Sequence, residues 1–327
     1  MKKVLILSYY WPPSGGAGVQ RWLKLSAYLA DLGVEVHVIT VDELKASYMQ
    51  WDETLLNDVH PKVTVYKTDS FEPINYYAKL VGKKNVPTAG FSNVNNSNWK
   101  QKLVNGIRSN FFIPDPRVGW KKYATKKAIE LIDKHTIQTV ITTSPPHSTQ
   151  LIGLSLKRKF PQIKWIVDFR DPWTDIYYYE LLGHTTVSKR LDANYERKVV
   201  EKADQIITVG HKFKDSFQSK TSQNITAKTA VIPNGYDPKD FVIESDQNKR
   251  FTISYTGTMS DYYQPEVFFE ALADLIKKYP SEPIDFVFIG TVSAKIRAYV
   301  VEKLGHQATF LPPVTHKDIV TYMQQSH

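Results

Sequence analysis

The chain has 327 residues, of which 42% are hydrophobic, and a formal net charge of +9. This length allows two globular domains. No apolar run is long enough to span a membrane, and residues 1–3 lead directly into a predicted strand, so we expect no cleavable signal. The absence of cysteine excludes disulfides and thiol chemistry and fits a reducing cytoplasm. The charge favours an anionic partner, and we expect acidic lipid headgroups or a phosphorylated substrate, since no nucleic-acid recognition motif occurs.

The first forty residues predict a βαβ unit. Residues 4–7 form an apolar run without alternation, which is typical of a strand buried on both faces. A glycine-rich loop follows, and apolar residues then recur at helical spacing over residues 19–30. Gly33 stands where a helix C-terminus favours a left-handed residue, and residues 34–39 supply a second strand. This order indicates a doubly wound parallel sheet.

Gly15 and Gly16 lie in the loop between the first strand and the helix. A backbone without Cβ atoms can approach a ligand closely, and the helix N-terminus adds partial positive charge. We therefore favour a phosphate- or polyol-binding loop over a tight turn without a ligand. A dinucleotide fingerprint is disfavoured, because Arg21 occupies the third glycine position and the first acidic residues, Asp42 and Glu43, lie in a loop.

A basic and aromatic segment spans Trp99 to Lys127. Cationic side chains beside aromatic ones suit an interfacial contact with an anionic membrane. A helix with buried aromatic residues and solvated lysines explains the segment equally well. Both interpretations stay open at this point.

Two further loops follow predicted strands at the same edge of the sheet. His147 lies after the strand at 137–142, in the sequence Thr143-Ser144-Pro145-Pro146-His147. A capping or packing role explains a lone histidine in this loop as well as a role in a site does. The strand at 165–169 ends in Asp168-Phe169-Arg170-Asp171, where two carboxylates flank a guanidinium. These groups could orient a sugar hydroxyl or form a structural ion-pair lattice, and we place Asp171 nearer the ligand.

The remaining chain predicts a domain boundary and three more β/α units. Residues 231–238 close the first domain with a turn at Asn234-Gly235, and a polar stretch at 236–250 makes a natural hinge. Strands are predicted to end at Gly257 and Gly290. We therefore expect an N-terminal domain over residues 1–240 and a smaller domain over residues 250–327. Because three units leave a sheet edge uncovered, we expect the second domain to be incomplete or to pair with a partner.

The ordered motifs together resemble those of bacterial glycosyltransferases with the GT-B fold, in the large retaining group called family 4. The resemblance runs from end to end. It rests on Gly15-Gly16, the loop ending in His147, the Asp168–Trp173 motif, residues 196–209, residues 232–237 and Tyr255-Thr256-Gly257.

The resemblance implies two Rossmann-like domains facing a cleft, the first binding the acceptor and the second a nucleotide-diphospho-sugar. It implies transfer with retention by front-face attack, with no bound metal and no cofactor besides the donor substrate. Gly15 and Gly16 match the loop near the diphosphate and acceptor, and His147 matches the histidine that contacts the donor sugar. His147 and Asp171 are thus the candidate catalytic residues. The candidate substrate-binding residues are Gly15, Gly16, Arg170, Asn234, Gly257 and Gly290.

The chain departs from the family pattern in two ways. The family commonly carries an Arg just after the glycine that matches Gly257 and a Lys a few residues later, whereas Thr258 and Tyr262-Tyr263-Gln264 stand here. The family's glutamate-rich donor motif would fall beyond His327. We therefore expect a complete acceptor domain and part of a donor domain, and whether this shortened chain is active alone stays open.

The sequence thus predicts a hexosyltransferase-type enzyme of cell-envelope polysaccharide biosynthesis, acting on a polysaccharide or lipid-linked acceptor. We expect it in the cytoplasm, peripherally at the inner membrane face, with an anionic membrane surface as a further partner through residues 99–127. The alternatives are a nucleotide-sugar 2-epimerase on the same fold and a catalytically silent, truncated binding module.

Overall fold

The computed structural model of the chain describes residues 1–72, 106, 109–241 and 246–327. The chain divides into two compact units, with the boundary between Gly235 and Tyr236. Trp99, Lys100, Lys102 and Arg108 of the basic segment lie outside the described residues.

The first unit contains a seven-stranded sheet in the order β3-β2-β1-β4-β5-β6-β7. All of its paired strands are parallel. The strands are β1 (Lys3–Leu7), β2 (Glu35–Val41), β3 (Val63–Thr68), β4 (Thr139–Ser144), β5 (Lys164–Phe169), β6 (Gln205–Thr208) and β7 (Thr229–Val231). The predicted doubly wound α/β fold is therefore confirmed for this unit.

Helices cover both faces of this sheet, as a parallel sheet requires. They are α1 (Ala17–Asp31), α2 (Trp120–His135), α3 (Ser148–Lys159), α4 (Thr186–Lys202) and α5 (His211–Ser219). On one face, Trp22 and Leu23 of α1 pack on Val4 and Ile6 of β1. On the other face, a larger buried cluster includes Trp120, which has 0% exposure. Gly33 has the left-handed φ of 78° predicted for the end of α1.

The strand order reverses between β1 and β4. Ligands of open α/β sheets bind beyond the carboxyl ends of the strands at such a switch point. The loop after β1 carries Gly15 and Gly16, and the loop after β4 carries His147. The fold therefore places both predicted loops beside the favoured position.

The second unit contains a three-stranded parallel sheet in the order β10-β9-β8. Its elements are β8 (Phe251–Met259), α6 (Glu266–Lys278), β9 (Ile284–Val292), α7 (Ala294–Leu304), β10 (Ala308–Leu311) and α8 (His316–Gln325). Phe269, Phe286 and Phe288 lie at the centre of its buried cluster. The two units together show the predicted combination of a larger and a smaller Rossmann-like sheet.

The predicted strand ends at Gly257 and Gly290 are wrong. Both strands continue past their glycine, and Gly257 pairs with Gly290 in the parallel register. The two residues have φ values of 135° and 140°, which an L side chain rarely adopts. A Cβ on Gly290 would lie 2.0 Å from the carbonyl oxygen of Gly257. The glycines therefore allow a local distortion inside the sheet rather than ending the strands.

Among the residues that the structure describes, no helix is long and apolar enough to cross a membrane.

Candidate functional site

The glycine loop after β1 packs against the chain at residues 50–52. The Gly15 amide donates to the carbonyl of Gln50 at 2.9 Å, and the Asp52 amide donates to the carbonyl of Pro13 at 2.9 Å. A Cβ on Gly16, whose φ is 89°, would lie 2.6 Å from the Gln50 Oε1 atom. Part of the requirement for glycine at position 16 is therefore its left-handed φ and its close contact with the Gln50 side chain. The loop then leads into α1, which begins without a side-chain cap at its N-terminus.

The guanidinium of Arg170 lies against the first turn of α1. A Cβ on Gly18 would lie 2.8 Å from Nη1 of Arg170 and 3.1 Å from its Nη2. Within the described parts of the chain, this guanidinium donates no hydrogen bond; the Asp171 carboxylate lies 3.9 Å from Nε. Its side chain is 18% exposed. Arg170 and the helix N-terminus thus place positive charge and open donors at one point.

His147 immediately precedes α3 and lies close enough to Arg170 to respond to its charge. Burial and the Arg170 guanidinium lower the pKa of His147 to about 3, so its imidazole is neutral at physiological pH. Its Nδ1 atom is buried and has no hydrogen-bond partner among the described residues. The ring stacks on Trp173 with a centroid separation of 4.9 Å and an interplanar angle of 8°.

Trp173 is itself fixed by the carboxylates of α4. Its Nε1 donates to Asp192 at 2.8 Å, and the Tyr179 hydroxyl donates to the same carboxylate at 2.8 Å. One turn later, Glu196 accepts a hydrogen bond from the Thr174 hydroxyl. Burial raises the pKa of Asp192 to about 6 and that of Glu196 to about 7. This network positions the loop after β5, and through Trp173 it positions the His147 ring.

Asp171 lies beside Arg170 with a side chain that is 41% exposed. Burial raises the pKa of this carboxyl, and the neighbouring Arg170 opposes the rise. A partly exposed carboxylate at the strand edge can accept a hydrogen bond from a substrate hydroxyl. The structure thus brings together Arg170, Asp171, His147 and the start of α1.

Asn234 and Asp168 accept hydrogen bonds from Arg21, in a network separate from the Arg170 contact. The Arg21 guanidinium donates to Asp168 Oδ1 at 3.0 Å and to Asn234 Oδ1 at 3.2 Å, and it also reaches the carbonyls of Ile232 and Pro233. Asp168 additionally accepts from Trp22 and Thr143. Arg21, at the position of the missing third glycine, therefore ties α1 to the ends of β5 and β7. The amide oxygen of Asn234 is engaged by this contact.

Several residues that build this edge could not be assigned a role from the sequence. Asp115 accepts hydrogen bonds from the amide and hydroxyl of Ser148 at 2.7 and 2.9 Å, and so caps α3 beside His147. Spacing alone indicates no role for Gly18, which lies just after the Gly15-Gly16 loop, or for Trp173, which ends the Asp168–Trp173 motif. Only the fold shows that one contacts Arg170 and the other stacks on His147.

Gly257 and Gly290 lie in the second unit, paired within its sheet as described above. Their backbone conformation alone accounts for the glycine requirement at both positions. Their predicted role in substrate binding stays a prediction.

A family model described as Glycosyltransferase Family 4 matches residues 85–240. The fold is similar to that of TarM, with a TM-score of 0.55 and 12% identity over 100% of this chain and 79% of that chain. A Candida albicans trehalose-6-phosphate phosphatase N-terminal domain has a TM-score of 0.55 and 10% identity over 100% of this chain and 75% of that chain. An E. coli structure described as trehalose-6-phosphate bound with UDP-2-fluoro glucose has a TM-score of 0.53 and 12% identity over 99% of this chain and 77% of that chain. No curated protein matches the sequence.

The matched segment contains the loop with His147, the Arg170-Asp171 pair and the α4 carboxylates. The predicted resemblance to family 4 with the GT-B fold is therefore confirmed. At these identities, the structural neighbours establish the fold and no more.

Proposed function

We propose that this chain, a glycosyltransferase by its family 4 segment and its GT-B fold, moves a sugar from a nucleotide-diphospho-sugar to a glycan or lipid-linked acceptor. The observation that carries the proposal is the Arg170 guanidinium against the first turn of α1. Its open donors and the helix N-terminus form a site suited to the oxygens of a phosphate or diphosphate.

The leaving group is where such a site helps the reaction most. Negative charge develops on the diphosphate as the glycosidic bond breaks, and fixed positive groups stabilise that charge in the transition state. Arg170 and the first turn of α1 supply this stabilisation without a metal ion in the proposed mechanism.

His147 and Asp171 are proposed to hold the reacting sugars. A neutral imidazole can hydrogen-bond to a donor-sugar hydroxyl, and its buried Nδ1 is available for that contact. Asp171 is proposed to accept a hydrogen bond from the acceptor. In front-face transfer with retention, the leaving diphosphate oxygen takes the proton of the attacking hydroxyl, so neither residue has to act as the base.

The first experiment measures thermal unfolding of the full chain with uridine and guanosine diphosphates and their sugars. A ligand that binds only the folded protein raises the unfolding midpoint. We expect a rise with one nucleotide class that is reduced in Arg170→Gln. Lys239→Gln in the second unit removes the same charge and serves as a control. Absence of any rise with every nucleotide would contradict the proposal and support a silent binding module.

Product analysis then separates the enzyme classes. Incubation with the donor alone, followed by mass spectrometry and chromatography of the nucleotide-sugar, detects epimerisation. We expect an unchanged donor in this reaction and a glycosylated product only when an acceptor is added. An epimerised donor would instead identify a nucleotide-sugar 2-epimerase.

The net charge of the chain supports the acceptor class and the location that we propose. The net charge of +9 suits a polyanionic glycan or a lipid-linked acceptor at an anionic surface. We propose that the protein works in the cytoplasm at the inner membrane face, on a hexose donor, in polysaccharide synthesis for the cell envelope.

A further inference from the structure

A cluster of two histidines and one glutamate lies at the opposite edge of the first sheet from the candidate site. Glu35 begins β2, His37 lies two residues further along the same strand, and His135 ends α2. One donor atom from each of the three side chains lies within 4.8 Å of the other two. We propose that these residues bind a divalent transition metal ion, with Zn²⁺ as the expected occupant.

The distances are close to those of a metal site. Glu35 Oε1 lies 2.9 Å from His37 Nε2 and 4.0 Å from His135 Nδ1. Two ligand atoms at about 2.1 Å from a tetrahedral zinc ion lie roughly 3.4 Å apart. The separation between Glu35 and His37 must therefore lengthen by about 0.5 Å, and that between Glu35 and His135 must shorten by about 0.6 Å. Side-chain rotation can supply both changes.

The surroundings supply the outer contacts that metal ligands need. His37 is 4% exposed, and its other ring nitrogen, Nδ1, lies 3.3 Å from the Tyr66 hydroxyl. If Nε2 binds the metal, the proton moves to Nδ1 and donates to Tyr66, which fixes the ring. Lys3 lies 3.7 Å from the second carboxylate oxygen of Glu35, Oε2, so Oε1 stays available to the ion.

His37 hydrogen-bonds to the Glu35 carboxylate, whereas His135 Nδ1 lies 4.0 Å from the same carboxylate, beyond hydrogen-bond distance. The His37 and His135 rings lie 4.6 Å apart. Two imidazoles and one carboxylate form a common donor set for zinc and its neighbours in the first transition series. A fourth position would be filled by water, because Glu35 and His135 remain about one quarter exposed.

The proposed role is structural. The ion would join the start of β2 to the last residue of α2, just before Thr136 turns the chain in the left-handed conformation towards β4. This edge lies at the amino ends of the strands, away from the loops that carry His147 and Arg170, so the link would stabilise the unit without touching either residue.

The test uses the full chain, stripped with a chelator and titrated with Zn²⁺ against a chromophoric competitor. We expect one tight site per chain, at least tenfold weaker in His135→Gln and in Glu35→Gln. His60→Gln is the matched control. His60 also pairs with a carboxylate, that of Asp31 at 3.1 Å, but among the described residues it belongs to no group of three potential metal ligands. Circular dichroism of the metal-free variants confirms that they are folded.

Two further readouts make the outcome decisive. Zn²⁺ at 100 times its dissociation constant should raise the unfolding midpoint of the wild type by about 5 °C, and this rise should be lost in His135→Gln. Co²⁺ should give the visible spectrum of a tetrahedral site containing imidazole. Absence of stoichiometric binding, or binding that is equal in the wild type and both site variants, would overturn the proposal.

Discussion

The Nη1 atom of Arg170 lies 2.8 Å from the position that a Cβ atom on Gly18 would occupy. A methyl group cannot lie this close to a guanidinium nitrogen, so the observed position of Arg170 requires glycine at position 18. Gly18 therefore determines where the guanidinium sits, and the charge at the start of α1 depends on a residue without a side chain.

Gly18→Ala should weaken binding of the nucleoside diphosphate at least tenfold while leaving the fold intact. The added methyl group displaces Arg170, whereas alanine in a helix is favoured over glycine by up to about 1 kcal/mol. Calorimetry measures the affinity, and thermal unfolding measures the stability. Gly210→Ala is the control, because a Cβ there meets nothing within 4 Å. Unchanged affinity in Gly18→Ala would show that Arg170 does not contact the ligand.

His147→Ala should lower kcat/KM about ten- to hundredfold, which is the loss expected for one hydrogen bond to the donor sugar. Affinity for the nucleoside diphosphate alone should stay close to that of the wild type, since His147 is assigned to the sugar. Because the pKa of His147 is about 3, the wild-type activity should show no titration of this residue between pH 5 and 8. The pH profile of His147→Gln tests this point: its shape should match that of the wild type.

Trp173 stacks on His147 and is expected to affect catalysis by positioning the histidine ring. Trp173→Leu removes both the stacked ring and the hydrogen bond to Asp192. We expect a lower kcat and a destabilisation of roughly 3 kcal/mol, because a large buried side chain is lost and the carboxylate loses a donor. Trp173→Phe keeps an aromatic ring and should recover part of kcat. If Trp173→Leu changes stability but not kcat, Trp173 does not position the histidine.

The arrangement of the sheet could be predicted from sequence because it depends on local patterns. Buried runs such as residues 4–7 and the left-handed Gly33 are determined by near neighbours in the chain. The loops after β1, β4 and β5 could likewise be assigned to one edge, since parallel strands share their direction.

Contacts between distant residues could not be predicted in the same way. The sequence does not show that Arg21 reaches residues 232–234, or that Gly18 faces Arg170. A glycine in the sequence can also serve more than one structural role. The sequence pattern predicts strand ends at Gly257 and Gly290, but the two residues pair with each other inside a sheet. Trp120 fits a membrane contact or a core equally well until its full burial is seen.

Glu196 should make the protein less stable as the pH rises from about 4.5 to about 7. Burial raises the pKa of this carboxyl from 4.5 to about 7, so the folded protein binds more protons than the unfolded chain in this window. The free energy of unfolding must then fall with rising pH, by on the order of 3 kcal/mol in total. Glu196→Gln should remove this part of the slope in urea unfolding at pH 5 and pH 7.5. Glu282→Gln changes an exposed carboxylate and should leave the pH slope of the unfolding free energy unchanged. A slope in Glu196→Gln equal to that of the wild type would contradict the assignment.

Membrane attachment through the Trp99–Lys127 segment is the remaining prediction from sequence, and the first turn of α2 lies in the described part of that segment. Trp120 is fully buried and cannot insert into a bilayer, whereas Phe111 is 78% exposed. Lys121 and Lys122 line a cavity of about 650 Å³ together with Phe71. Any attachment by this turn should therefore be mainly electrostatic and sensitive to salt.

Vesicle flotation with anionic lipids tests this prediction directly. We expect the full chain to float at low salt and to lose most of that binding at high salt. Lys121→Glu with Lys122→Glu should weaken binding by at least tenfold, because a change of four charge units opposes attraction of about 1 kcal/mol per basic residue. Lys277→Glu with Lys278→Glu makes the same change in net charge at the end of α6, on exposed residues of the second unit. If both pairs reduce flotation equally, net charge alone accounts for the binding, and the start of α2 is an ordinary solvated helix face.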